Sequence, residues 1–223
     1  MSTNHVIPSG FDAIDEHLGG GYKGGNLFIA RIWEIEPDAL QDFIVMQVKQ
    51  LATSRKVKVL VVSLGMDSKE FVKCLAFDST PGQLKAIAEA PLFISEFKEK
   101  KHNPESVMKD LPGYIDEGDF DIVIIDGAEK LITERNLKVG TLNTETVDAL
   151  LSLARKSSVP IVVSDYGNKL ETGLHRDDRI TEMEIKTDVH GTVQASILSN
   201  EKKTVTEDLF GLWKVFEGIF KTN

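Results

Sequence analysis

The chain has 223 residues, 41% of them hydrophobic and 27% charged, and a formal net charge of −9 at pH 7. That length suits one sizeable domain, and that composition suits a globular chain with a core of its own. The acidic balance argues against strong non-specific nucleic-acid binding, which clustered lysine and arginine drive.

No apolar run approaches the roughly 20 residues that cross a bilayer, so no membrane contact is expected. The opening MSTNHVIPSG lacks the basic and apolar regions of a secretory leader. The one cysteine, Cys74, excludes an internal disulfide framework and suits a reducing compartment. Among Phe71, Val72 and Leu75 it reads as a buried structural thiol. A cytoplasmic location is expected.

Residues 1–9 read as a tail. Phe11 to Leu18 reads as a short helix, stopped by Gly19, Gly20 and Gly21, where helix continuation is costly. Asn26 to Ile32 is an apolar strand. Pro37 and Asp38 can open the next helix, because proline is tolerated in a first turn and aspartate caps one. In that helix Phe43, Ile44, Val48 and Leu51 share a face. Lys58 to Leu64 is a second strand. Ser68 to Phe77 and Gly82 to Glu89 read as helices, and Pro91 to Ser95 as a third strand. Pro104 to Glu117 fits a helix on Val107, Leu111 and Ile115.

Phe120 to Ile125, followed by Asp126, is nearly all apolar, as a central parallel strand covered on both faces requires. Residues 128–142 read as irregular or partly helical. Glu145 to Ser157 is a helix and Val159 to Val163 a fifth strand. Residues 165–188 contain a polar stretch read as an exposed loop region, in which Thr181 to Thr187 already alternates like a strand. Thr192 to Leu198 alternates likewise, and Leu212 to Phe216 offers a last short strand. Strand–helix repetition followed by a meander predicts a single α/β domain over 1–223. Its sheet is mostly parallel, with an antiparallel C-terminal extension.

Residues 7–52 have the frame of a phosphate-binding loop: a glycine-rich entry, a short strand, a turn and a helix. The turn itself, Arg31 to Asp38, is RIWEIEPD. It has no glycine to let backbone N–H groups converge on phosphate, no lysine and no hydroxyl for Mg²⁺.

Four segments together carry a resemblance: IPSGFDAIDEHLGGGYKGGNLFIAR, KVLVVSLGMDSKEF, FDIVIIDGAEKL and VDALLSLARKSSVPIVVSDYGNK. The chain resembles the RecA-like ATPase core of DnaB-type replicative helicases, phage helicases included. More distantly it is similar to RecA and KaiC domains. The resemblance implies a RecA-like three-layer sandwich. It places the Gly-Lys-Thr of the phosphate loop on Ile35, Glu36 and Pro37. Glu36 sets a negative charge against a triphosphate, and Pro37 supplies neither hydroxyl nor N–H. Trp33 and Ile35 fill the space with apolar bulk. Gly65 stands where the helicases carry the water-polarising glutamate, and Asp165 where they carry a sensor glutamine. Ser164 beside it is retained. Asp126 stands at the magnesium-binding position. With the loop gone, it reads as a strand-end carboxylate that caps the next turn or pairs with a local cation. It would be a metal ligand only if Mg²⁺ is bound.

The resemblance puts DNA-contacting segments and an arginine finger in the loop after Asp165. Lys169, Arg176, Arg179 and Lys186 are therefore candidate DNA or trans contacts. The acids Glu171, Asp177, Asp178, Glu182 and Glu184 nearly cancel them, so a solvated loop is the preferred reading. The same holds for Lys98, Lys100, Lys101 and His102, and for Lys202 and Lys203. The five histidines are scattered, without metal-ligand spacing.

These readings predict a catalytically degenerate RecA- or DnaB-like protein. It would act by protein–protein contact, as an accessory or regulator of DNA replication or recombination, in a homo- or hetero-oligomer. Its partner would be an active RecA-like helicase or recombinase, and it would need no cofactor. One alternative is an active NTPase binding Mg-ATP through Asp126, Lys23 and Arg31. Another is a DNA-binding protein that works without ATP.

Overall fold

The computed structural model describes residues 6–32, 37–54, 56–77, 79–96, 104–131, 142–167, 177–187, 193–198 and 203–206. The chain opens with β1 (Val6–Ile7), α1 (Asp12–Leu18), β2 (Tyr22–Lys23), β3 (Leu27–Ile32), α2 (Pro37–Lys49) and β4 (Val59–Ser63). Then come α3 (Ser68–Ala76), α4 (Pro81–Ala88), β5 (Leu92–Glu96), α5 (Pro104–Gly118) and β6 (Ile122–Asp126). It continues through α6 (Thr144–Ser157), β7 (Ile161–Asp165), β8 (Ile180–Thr187), β9 (Val193–Leu198) and β10 (Lys203–Thr206).

Eight strands form one sheet in the order β10-β9-β8-β3-β7-β6-β4-β5. From β8 to β5 every pairing is parallel, while β9 and β10 extend the sheet antiparallel. The short strands β1 and β2 make a separate ribbon. The fold is α/β, with a mostly parallel sheet between two helical layers. Pleating explains the layers, since alternate residues of a strand face opposite sides. Phe28, Val59, Val61, Ile122, Ile124, Val162 and Met183 pack with Leu40, Ile44, Phe71 and Leu75 of α2 and α3. Leu27, Ile29, Leu60, Val62, Val123, Ile125, Ile161 and Val163 pack with Leu111 and Ile115 of α5 and Leu150 and Ala154 of α6. At roughly 1.5–3 kcal/mol per buried large aliphatic or aromatic side chain, these two faces are the main source of stability.

Local chemistry sets the element ends. Asp67 accepts from the Glu70 N–H to open α3, and Asn143 accepts from Thr146 to open α6. Thr80 and Gln83 form a reciprocal capping box at α4, with Pro81 in its first turn. Gly19 ends α1 at φ 70°, a left-handed cap that glycine adopts without a Cβ penalty.

Three readings are corrected. The tail 1–9 contains β1, paired with β2 across the glycine turn. The region 165–188 is not uniformly exposed. Asp165, Glu182, Met183 and Ile185 are buried, and β8 lies beside β3 inside the sheet. The structure also adds β10 at Lys203–Thr206, where no strand is expected. Leu212 to Phe216 lies outside the described residues, as do Trp33, Ile35, Glu36, Lys169 and Arg176. Among the described residues, no helix is long and apolar enough to cross a membrane.

Candidate functional site

In parallel sheets, ligands bind outside the carboxyl ends of the strands, where neighbouring connections leave for opposite faces. Here that point lies between β4 and β6. β4 leads into α3 on one face, and β6 leads towards α6 on the other. The backbone closes this crevice. The N–H groups of Leu64 and Gly65 both donate to the Asp126 carbonyl, at 2.8 and 3.0 Å. Gly127 makes the approach possible: it sits at φ 83°, and a Cβ there would stand 2.8 Å from the Gly65 nitrogen.

The Asp126 carboxylate is buried at the end of β6. Its Oδ1 accepts from Ser164 Oγ at 2.9 Å and from the Tyr166 hydroxyl at 2.7 Å. Ser164 Oγ in turn accepts from the Gly127 N–H at 2.8 Å. Oδ2 faces Gly65 and has no hydrogen-bond partner among the described residues. Lys130 reaches back over the crevice, donating to the Leu64 carbonyl at 2.8 Å. Burial holds the Asp126 carboxyl above the usual carboxylate range, against the opposing pull of the Tyr166 and Ser164 hydroxyls and of Lys130. Burial, then the Asp126 charge, pushes the Tyr166 phenol up. Tyr166 is therefore a neutral donor at physiological pH.

A second cluster lies on the opposite face of the sheet. Asp165 follows Ile161 and Val163 in the pleat, whereas Asp126 follows Ile122 and Ile124. The two aspartates, grouped by the sequence around one nucleotide site, therefore point to opposite layers. Arg31, at the end of β3, is held between two acids. Its Nε lies 3.4 Å from Asp165 Oδ2 and its Nη1 lies 3.1 Å from Glu182 Oε2. Asp165 Oδ1 accepts from the Gly167 N–H at 3.0 Å. Burial raises the Asp165 carboxyl, and the Gly167 N–H and the Arg31 charge oppose the rise. Glu129 accepts from the Tyr166 N–H at 3.2 Å and is likewise raised, chiefly by burial. Glu182 Oε1 has no hydrogen-bond partner among the described residues.

Gly65, Asp126 and Asp165 thus come to the carboxyl end of the sheet, and so does Arg31. Lys23 does not. It lies in β2, whose carbonyl receives the Asn26 N–H just before β3 begins, at the amino end of the sheet. A five-residue strand separates the two ends by about 17 Å. Lys23 and Asp126 therefore cannot contact one small anion. Arg179 is also at the amino end, where its carbonyl accepts from the Leu27 N–H and its own N–H donates to Asp177 Oδ1. Arg155 pairs with the same Asp177. Pro37 opens α2 and Lys186 lies within β8.

Glu129 and Tyr166 are contributors that sequence reasoning did not name as site residues, and it named Arg31 only as a phosphate or metal contact, not as the partner of Glu182. The parity of Ser164 with Val162 indicates its face, but nothing local signals that Tyr166 returns to Asp126. Among the described residues, no group of three or more His, Cys, Asp or Glu could hold a metal ion. Chemically the arrangement can store buried negative charge and buffer it with hydroxyls and one guanidinium. The described cation nearest Asp126 is Lys130, whose ammonium is held by the Leu64 and Gly65 carbonyls.

Fold and site together define an α/β domain whose strand ends are tied to one another. No protein-family model matches the chain, and no curated protein sequence does.

Proposed function

We propose that this chain is a catalytically degenerate RecA- or DnaB-like protein that works by protein–protein contact as an accessory or regulator of DNA replication or recombination. The observation that carries the reading is the engagement of Arg31 by Asp165 and Glu182. A cation at the end of the first core strand is bound to the protein's own acids, and the crevice between β4 and β6 is closed by the Asp126 carbonyl. Phosphoryl transfer rests on positioning and electrostatics. The sequence RIWEIEPD removes the positioning groups, and Gly65 removes a carboxylate. The sheet and its two helical layers are compatible with the three-layer sandwich that the resemblance implies. A domain of that type without turnover keeps surfaces for an assembly.

The test is thermal unfolding with and without Mg-ATP. The expected result is no shift at millimolar nucleotide. A rise of several degrees that disappears in Asp126→Asn would overturn the reading, because a ligand that binds only the native state must raise its stability. Affinity capture from the host, with recovery of a replicative helicase or recombinase, identifies the partner.

A further inference from the structure

The amino end of the sheet gathers cations from three separate segments. Lys23 ends β2, Arg155 and Lys156 lie in the last turn of α6, and Arg179 directly precedes β8. All four are exposed. Backbone contacts bring the segments together. The Asn26 N–H donates to the Lys23 carbonyl at 3.2 Å, which closes the turn after β2. Within that turn Gly25, at φ 78°, lies against α6: a Cβ there would stand 3.8 Å from Arg155 Cα and 3.9 Å from the Ala154 carbonyl oxygen. Lys23 is two Cα steps from Gly25, at most about 7.6 Å. From the other side, the Leu27 N–H donates to the Arg179 carbonyl at 3.0 Å.

Positive charge is in surplus at this corner. The described acids beside these four cations are Asp177 and Asp178, in a chain of net charge −9. The acids of α6 itself, Glu145 and Asp148, lie about 10 Å or more along the helix. Arg155 and Lys156 complement the carboxyl end of the α6 dipole. Lys23 and Arg179 belong to other segments and have no such task. Lys23 and Lys156 make no hydrogen bond or ion pair among the described residues.

The corner already holds one carboxylate. Asp177 Oδ2 pairs with Arg155 Nη2, and Asp177 Oδ1 accepts from the Arg179 N–H at 3.0 Å. The Arg179 N–H, and then the Arg155 and Arg179 charges, hold the Asp177 carboxyl below the usual carboxylate range. The Arg155 side chain is 43% exposed and that of Asp177 32%, so a carboxylate arriving from solvent meets the same guanidinium.

We propose that this corner is a docking surface for an acidic peptide segment of the partner protein. Its carboxylates lie across Lys23, Arg155, Lys156 and Arg179, and one of them takes the Arg155 guanidinium over from Asp177. Resting on the reading of the chain as a protein that works by protein–protein contact, this names the surface it uses and the chemistry it meets there. A planar guanidinium fork matches a carboxylate. A short acidic segment also matches a surplus of two charges, whereas the negative field of the whole chain repels a long polyanion such as a nucleic-acid strand.

The test is fluorescence anisotropy of the full chain with a labelled peptide of four glutamates between glycines, and with its glutamine counterpart. The buffer holds about 50 mM NaCl, where surface charge is only partly screened. The glutamate peptide should bind, and the glutamine peptide should bind at least about tenfold more weakly. Lys23→Glu and Arg179→Glu, neither of them in a helix, should each weaken the glutamate peptide about fivefold or more. Lys69→Glu, on α3, should leave it unchanged. Asp177→Asn keeps an acceptor for the Arg179 N–H and frees Arg155, and should tighten binding about threefold. Lys156→Gln takes the place of either charge reversal should that variant unfold.

Absence of binding at about 1 mM chain overturns the proposal, as does equal binding of the two peptides. So do corner variants that weaken binding no more than Lys69→Glu does, or an Asp177→Asn variant that binds more weakly. A labelled oligothymidine that binds more tightly than the glutamate peptide, and is lost with the same charge reversals, overturns it too and assigns the corner to nucleic acid. A Mg-ATP thermal shift bears on the non-catalytic reading alone, so the two fail separately.

Discussion

Asp126 Oδ2 lies 2.6 Å from the position that a Cβ on Gly65 would take. The carboxylate occupies the space that a side chain at position 65 would need. The rotamer of Asp126, held by Ser164 and Tyr166, thus leaves position 65 room for glycine alone.

Gly65→Ala should therefore destabilise the fold by about 1–3 kcal/mol, the usual cost of overpacking a tight site. Part of that cost should vanish when Asp126 is shortened to serine. A double-mutant cycle by urea unfolding measures the coupling, expected at about 0.5 kcal/mol or more between residues in contact. Additive losses would show that the two positions do not share the space.

Arg31 faces two buried acids, so its removal and theirs should differ. Arg31→Met leaves Asp165 and Glu182 without their counter-charge and should cost about 3–5 kcal/mol. Glu182→Gln keeps an acceptor for Arg31 and leaves a balanced Arg31–Asp165 pair, and should cost much less. Urea midpoints of the two variants decide the matter. Equal losses would mean that packing, not charge, sets the value of the cluster.

Burial raises the carboxyls of Asp126, Glu129 and Asp165 above their unfolded values. The folded state thus holds these protons more tightly than the unfolded chain. Their contribution is fully present below the unfolded carboxyl range, near pH 4, and is lost as pH rises through the folded values. Stability should fall between mildly acidic and neutral pH, and Asp126→Asn should flatten that slope. Unfolding curves at pH 5 and pH 7.5 check both statements.

Tyr22 is fully buried in β2, and its hydroxyl accepts from Gln47 Nε2 of α2. Tyr22→Phe leaves that amide buried and unpaired, and should cost about 1–3 kcal/mol. Gln47→Leu in the same background removes the stranded polar group and should recover part of the loss.

The elements were largely legible in the chain. Continuous apolar runs at Val59–Ser63 and Ile122–Asp126 became fully buried strands, because only a parallel strand covered on both faces asks for such runs. The helix expected over Glu145 to Ser157 is present at Thr144–Ser157, with Val147, Leu150, Leu151 and Ala154 buried. The alternation at 181–187 and 192–198 marked the meander. The ribbon of β1 and β2 was not legible, since two residues per strand carry no period.

The sequence by itself determined the strand–helix order, the parity of each residue within its strand and the absence of glycine, lysine and hydroxyl from RIWEIEPD. These are local properties, set by spacing and residue type. Only the tertiary structure decided which strands are neighbours. It placed β8 beside β3, which turned Glu182 from a supposed loop acid into the buried partner of Arg31. It turned Asp126 and Asp165 to opposite layers and separated Lys23 from both. Those outcomes rest on register between segments far apart in the chain, and a local pattern does not encode a register with a strand it has not yet met.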